Sequence, residues 1–279
     1  MTFPTALDYT PEQTALIHSA TLTAATILGD YLEDLVVVGG LVPSLLIPAA
    51  ELPSGAEPHV GTMDLDLGLD LAILESHRYE GIAERLRSAG FTPDLSEKGN
   101  ETRQRLRFQA APSVTIDFLM PAINGTAQPG RLQPLESGLA AIIIPALELA
   151  FQERIYVSLT GTTLFNETVT RNVPVCNPGA FVLLKALALR NRGKFKDAYD
   201  LYYMIRNYGA GPEEVAGFFR QYAATDPGRE AIAILHEDFH SESSLGPNRV
   251  ALFRDGTLNA ELQADVVGFV GDFLRMVEQ

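Results

Sequence analysis

The 279-residue sequence predicts an α+β protein, a mixed β-sheet with flanking helices over residues 1–176 and a helical domain over 177–279. Three observations carry that expectation. Short apolar or alternating runs recur before residue 176 among segments of helical spacing. Their helix-then-strands order points to a mixed sheet with helices on one side. After Asn177-Pro178-Gly179 the spacing is helical almost to the end.

The elements follow in order. Pro11 to Tyr31 has helical spacing, with Thr10 as N-cap and Pro11 at the first helical position. Leu35 to Val38 is an apolar strand that runs into Gly39-Gly40, a tight turn. Val42 to Ile47 reads as a short helix, and Pro48 to Val60, rich in Pro, Gly and Ala, as an exposed loop. Met63 to Asp70 is an acidic strand. Tyr79 to Ala89 is an amphipathic helix closed by Gly90. Thr102 to Gln109 and Ser113 to Leu119 alternate as strands joined by a turn at Ala111-Pro112. Glu153 to Thr160 and Glu167 to Val175 form another strand pair. Helices are expected over Ala180 to Arg192, Phe195 to Asn207, Pro212 to Tyr222, Arg229 to His240 and Ala260 to Val277.

Composition narrows the function classes. The chain is 46% hydrophobic and 20% charged, as folded proteins are. Its single cysteine, Cys176, has no partner for an intrachain disulfide. The stretch from Met1 to Glu12 has no basic start, and the longest apolar run, Leu139 to Leu149, is too short for a bilayer. A cytoplasmic location is therefore expected, with no membrane partner. The net charge of −14 argues against non-specific nucleic-acid binding, and no DNA partner is expected.

The chemistry is concentrated in Gly61-Thr62-Met63-Asp64-Leu65-Asp66. In a strand, Asp64 and Asp66 point to the same face. Adjacent carboxylates repel unless a cation lies between them. Mg²⁺ takes one or two carboxylates together with nucleotide phosphates, and glycines such as Gly39 and Gly40 let a backbone approach a phosphate. Asp117, alone among apolar neighbours in Val114-Thr115-Ile116-Asp117-Phe118, is a third ligand candidate and a candidate general base. The bland alternative is a solvated strand edge.

The Val38-Gly39-Gly40, Asp64-Leu65-Asp66 and Ile116-Asp117-Phe118 set resembles the nucleotidyltransferase superfamily of the DNA polymerase β type. The run from Lys185 to Tyr202, with Lys194-Phe195-Lys196-Asp197-Ala198-Tyr199-Asp200-Leu201 at its centre, resembles the AbiEii/AbiGii toxin-type branch. The gap from Gly40 to Asp64 is longer than usual in the superfamily, with the Pro48 to Val60 loop as an insertion. The resemblance implies a nucleotidyltransferase-type catalytic domain over 1–176. It implies that an NTP is the substrate and that two Mg²⁺ ions are held by Asp64, Asp66 and Asp117. It also implies transfer of a nucleoside monophosphate to an acceptor hydroxyl, with tRNA ends among the acceptors of related proteins and a protein or small-molecule acceptor still open, and a cognate antitoxin. Lys185 or Lys196 would face the triphosphate, with Asp197 holding a lysine in place. Gly39, Gly40, Ser44 and Thr62 complete the nucleotide-binding set, and Asp200 is divided between a structural and a site role.

Two further patterns compete for attention. Arg103, Arg105 and Arg107 share one strand face and form either a local basic patch or an exposed face. His236-Glu237-Asp238-Phe239-His240 is a literal H-E-x-x-H, the zinc-hydrolase pattern. Asp238 and the Ser-rich run after His240 count against it. The alternative of a different class is a catalytically silent nucleotide- or partner-binding module.

Overall fold

The computed structural model describes residues 4–52, 56–70, 81–96, 98–122, 128–136 and 138–279. The start of the expected Tyr79 to Ala89 helix and the middle of the Pro48 to Val60 loop lie outside the described residues. Contacts divide the chain into two units. A sheet unit comprises 11–42 and 62–176, and a helical unit comprises 1–10, 43–61 and 177–279.

The sheet unit begins with α1 (Pro11–Ile27). It ends short of Tyr31 because the chain tightens into a 3₁₀ turn over Gly29–Asp34, with the Tyr31 N–H donating to the Leu28 carbonyl. The strands are β1 (Leu35–Val38), β2 (Asp64–Leu69), β3 (Phe91–Leu95), β4 (Glu101–Phe108), β5 (Ala111–Met120), β6 (Leu132–Glu136), β7 (Leu139–Ile143), β8 (Ile155–Thr162) and β9 (Thr168–Val175). The short helix α2 (Val42–Leu46) follows the glycine turn, and α3 (Ile82–Ser88) precedes β3. Among the described residues the sheet has nine strands and runs β3-β4-β5-β2-β1-β9-β8, with β7 beside β5 and β6 beside β7.

The sheet is mixed. β2 runs parallel to β5, and β1 parallel to β9, while β1–β2, β4–β5 and β8–β9 are antiparallel. Every residue of β1 is buried, as expected of a central strand covered on both faces. On β2 the alternation is sharp: Leu65, Leu67 and Leu69 are buried on the face where Thr21, Ala24 and Ala25 of α1 pack, and Asp64 and Asp66 lie on the other. Cys176, buried and without a disulfide, donates its backbone N–H to the Val37 carbonyl.

Several elements depart from the sequence expectation. The β4–β5 turn falls at Gln109-Ala110, because a register shift pairs Phe108 with Ala111 and takes Ala111-Pro112 into β5. β3 and β6 each carry a central proline, Pro93 and Pro134, and sit where the missing N–H costs no ladder bond on the outer side. β7 was concealed within the apolar run from Leu139. A helix over Leu245–Asp255 was concealed by Gly246 and Pro247, residues that a first helical turn tolerates.

The helical unit contains α4 (Pro178–Arg192), α5 (Phe195–Asn207), α6 (Pro212–Ala223), α7 (Asp226–Phe239), α8 (Leu245–Asp255) and α9 (Ala260–Val277). Asn177 caps α4 by accepting from the Ala180 N–H, and its amide donates to the Tyr222 hydroxyl at 2.7 Å. Thr225 caps α7, which starts earlier than Arg229, with Pro227 in its first turn. The unit's core is aromatic: Phe181, Phe219, Tyr222, Phe253 and Phe273 are fully buried. Among the described residues no helix is long and apolar enough to cross a membrane.

Gly179 is where α4 crosses α6. A Cβ there would lie 2.5 Å from the Phe218 carbonyl carbon and 2.6 Å from the Phe219 nitrogen, both backbone atoms that cannot rotate away. Gly179→Ala is expected to destabilise the protein by about 1–3 kcal/mol, read as a lowered urea midpoint followed by far-UV circular dichroism. An unchanged midpoint would contradict this packing.

Candidate active site

The sheet register assembles the acids. Asp66 pairs with Asp117 across the parallel β2–β5 ladder, Arg105 pairs with Asp117 across β4–β5, and Val38 pairs with Asp66 across β1–β2. Directly paired residues share a face. Asp64 lies two residues before Asp66 and joins them. Each of Asp64, Asp66 and Asp117 offers a carboxylate oxygen within 4.8 Å of the others. Among the described residues this is the group of His, Cys, Asp and Glu side chains placed to hold a metal ion. Asp64 and Asp66 are half-buried and Asp117 is buried.

The turn after β1 is built around the same row. Gly39 has φ +72°, and a Cβ on it would sit 1.9 Å from Asp66 Oδ2. Both constraints demand glycine, one of backbone conformation and one of space. Gly40 follows in the same 3₁₀ turn and is buried. Thr62 is buried, and its hydroxyl donates to Asp64 Oδ1 at 3.0 Å, fixing that carboxylate's orientation.

Arg105 does not belong to an arginine patch. Its Nε donates to Asp117 Oδ1 at 2.6 Å, and its Nη2 donates to Asp117 Oδ2 at 2.5 Å and to Asp64 Oδ2 at 3.3 Å. The Asp117 hydrogen bonds raise the guanidinium above its ordinary range, and the charges of Asp117, Asp64 and Asp66 add to this. Arg107 instead faces Asp94, at 3.9 Å, and Arg103 is exposed.

The lysine run forms a second constellation, within the helical unit. Lys185 Nζ reaches Asp197 Oδ1 at 2.9 Å and Asp200 Oδ2 at 2.6 Å. Arg192 clasps Asp197 with Nε and Nη2, each at 2.8 Å. Lys196 donates to Asp200 Oδ1 at 2.7 Å, and His59 Nε2 meets the same oxygen at 2.9 Å. Lys185, Asp197 and Asp200 are all buried. Burial opposes ionisation of both acids, but Lys185 with Arg192 brings Asp197 down to about 2, and Lys185 with Lys196 holds Asp200 well below the usual range. Burial lowers Lys196, whereas for Lys185 the two aspartates outweigh burial and raise it. Tyr199 and Tyr202 are buried packing aromatics. Tyr199 stacks on His59 at 5.3 Å and packs at a tilt against Phe253 at 5.0 Å.

His59 was not singled out from the sequence. It lies in the proline-rich segment, and its partner Asp200 is 141 residues away. The Gly61 N–H donates to its Nδ1, as the Ser44 hydroxyl is placed to do, both at 3.1 Å. A ring nitrogen that accepts carries no proton, so the ring proton faces Asp200. Ser44 therefore holds the ring of His59.

The H-E-x-x-H run has other employment. His236 meets Glu278 at 2.6 Å, Glu237 pairs with Arg190 at 2.5 Å, and His240 Nδ1 donates to the Glu237 carbonyl at 2.8 Å. Asp238 is buried on α7, away from the pattern's usual apolar filling. The helical unit also holds a cleft of about 600 Å³ lined by Tyr199, Tyr202, Tyr203, Arg206, Arg254 and Asp265.

The site is thus a glycine turn abutting an acidic row on neighbouring strands of a mixed sheet. Residues 57–279 match the sequence model of the family described as "Nucleotidyl transferase AbiEii toxin, Type IV TA system". The chain belongs to that family. A search of curated proteins finds no match. Among solved structures, an antigenic nucleotidyltransferase-like protein from Paracoccidioides brasiliensis is similar at 16% identity and TM-score 0.41, over 80% of this chain and 87% of that one.

Burial is the largest influence on His59 and lowers it to about 4. Asp200 opposes this, and Lys196 and Lys185 reinforce it. The unfolded ring binds a proton near pH 6.5 and the folded ring only near 4, so stability present above 6.5 is lost as pH falls between these values. The full loss approaches roughly 3 kcal/mol. Below it, between about 4 and 2, protonation of Asp197 removes more. A plot of unfolding free energy against pH for His59→Asn should be flatter than wild type between 6.5 and 4, and parallel curves there would reject the assignment.

Proposed function

We propose that the chain transfers a nucleoside monophosphate from an NTP to an acceptor hydroxyl, with Asp64, Asp66 and Asp117 as ligands of two Mg²⁺ ions. The observation that carries this reading is the convergence of the three carboxylates beside the Gly39 turn. Their donor set fits the ion: hard oxygen ligands gathered from two parallel strands. When bound, such ions neutralise charge developing on the phosphates and lower the pKa of an acceptor hydroxyl.

The chain's own residues have separable tasks in this scheme. Thr62 orients the Asp64 carboxylate. Gly39 and Gly40 bring backbone close to the acids, where a phosphate can be met by N–H groups without a side chain intervening. Asp117 takes the acceptor proton once the hydroxyl is in place. For Lys185, Lys196 and Asp197 the buried ion cluster supports a role in holding α4 to α5, with Lys196 the better candidate for a phosphate contact. Its side chain keeps 13% exposure against 6% for Lys185, and it has one carboxylate partner where Lys185 has two.

We propose tRNA ends as the acceptor and a cognate antitoxin as the partner. Support for the antitoxin comes from the family's place in type IV toxin–antitoxin systems, and tRNA ends are the acceptor that the family resemblance implies. The acidic balance of the chain calls for the acceptor to be recognised locally rather than by a broad basic surface.

Purified protein incubated with labelled NTPs, Mg²⁺ and total tRNA should label RNA, and Asp66→Ala should lose about 10²-fold or more of that activity. Equal labelling by both proteins would reject the site. NTP binding without transfer to RNA, protein or small-molecule pools would favour a silent binding module. Gly39→Ala is expected to lose activity to a similar extent while remaining folded, since its methyl group would collide with Asp66 Oδ2.

A further inference from the structure

We propose that Arg105 is the resident cation of the acidic cluster, and that a divalent ion enters by displacing its guanidinium. Arg105 is then a positioning residue that sets metal affinity. The inference rests on the metal-binding reading above and deepens it.

The argument begins with the ladder. β4 places Arg105 directly opposite Asp117, so its side chain leaves the sheet on the face the acids occupy. The guanidinium takes both oxygens of Asp117, and through Nη2 it also reaches Asp64 Oδ2. One nitrogen therefore lies between carboxylates of β2 and β5, within the space that a shared metal ion needs. A dication and a guanidinium carry like charge and would occupy the same position between the carboxylates, so they cannot both sit there.

Arginine cannot resolve the conflict by losing its proton, as a lysine or histidine does. It has to move. Its side chain is 35% exposed, so the head group has a solvent path away from the acids. Lys185, sealed at 6% between two aspartates, has no such freedom. The planar fork also explains why this position suits arginine: two parallel N–H···O bonds hold Asp117 in a fixed plane, which a lysine point charge does not do. Without the ion, Arg105 keeps the acids converged. With the ion, it is released on the same face of the sheet.

The test uses Mn²⁺ as the probe in calorimetric titrations of the full chain, with wild type, Arg105→Gln, Arg105→Lys and Asp66→Ala. Exchange predicts that Arg105→Gln binds Mn²⁺ about tenfold tighter than wild type, since the competitor is gone. It also predicts that metal-free Arg105→Gln melts below wild type and recovers more on adding Mn²⁺. Arg105→Lys should fall between the two, and it decides the matter if Arg105→Gln does not fold: affinity above wild type supports exchange. Affinity equal to or below wild type in either variant, with binding still abolished by Asp66→Ala, overturns the role of Arg105 and leaves the metal reading standing. Mn²⁺ binding that is indifferent to Asp66→Ala overturns both.

Discussion

Mutual repulsion among Asp64, Asp66 and Asp117 is the constraint around which the sheet unit is arranged. Hydrophobic burial drives the unit together, and it would do so more easily with leucine at all three positions. The strands instead bury leucines on the α1 face and spend the other face on like charges within 4.8 Å. Such an arrangement persists only where something positive is held against it. The register of β4 supplies Arg105, the turn after β1 supplies a glycine that makes room for Asp66, and Thr62 pins Asp64. Each of these features is a local concession to the same electrostatic requirement.

The helical unit meets a related problem in the opposite way. There the acids Asp197 and Asp200 are buried with more cationic partners than they number. Buried ion pairs of this kind add little net stability against an apolar substitute, but removing one partner costs about 3–5 kcal/mol, because the other charge is stranded. The cluster therefore specifies which residues of α4, α5 and the 43–61 segment meet, more than how tightly. The contrast with the sheet is one of access: the acids of β2 are half-exposed and able to exchange partners, whereas those of α5 are not.

Parity along a strand is local information, so the shared face of Asp64 and Asp66 was legible in the sequence. The third acid was legible too, as a charge that its apolar neighbours could not explain. Which strand lies beside which is not local. Arg105 was visible as one of three alternating arginines, but its pairing with Asp117 depends on a ladder whose register is set by a bulge at Arg107-Phe108. His59 was hidden for the same reason at longer range, inside a segment whose Pro, Gly and Ala content says only that it is irregular. The prolines of β3 and β6 and the Gly-Pro pair that opens α8 mimicked loops because a strand edge and a first helical turn are the two places where such residues cost nothing. The lysine run announced its importance by its density of charge, yet density alone does not separate a phosphate contact from a buried brace.

The 43–61 segment has a consequence for the order in which the protein forms. It is inserted between β1 and β2, yet it belongs to the unit whose remaining core starts at Asn177. During synthesis His59 and Ser44 emerge more than a hundred residues before Asp200 exists to receive them. The nascent sheet unit must therefore carry this segment as an unpartnered loop until α5 has been made, and a long loop has to be closed at the end of folding rather than at its start. Cutting the gene at the sequence boundary near 176 would leave His59 on one polypeptide and its partner Asp200 on another. The chain is written as a sheet followed by helices, but it cannot be taken apart in that order.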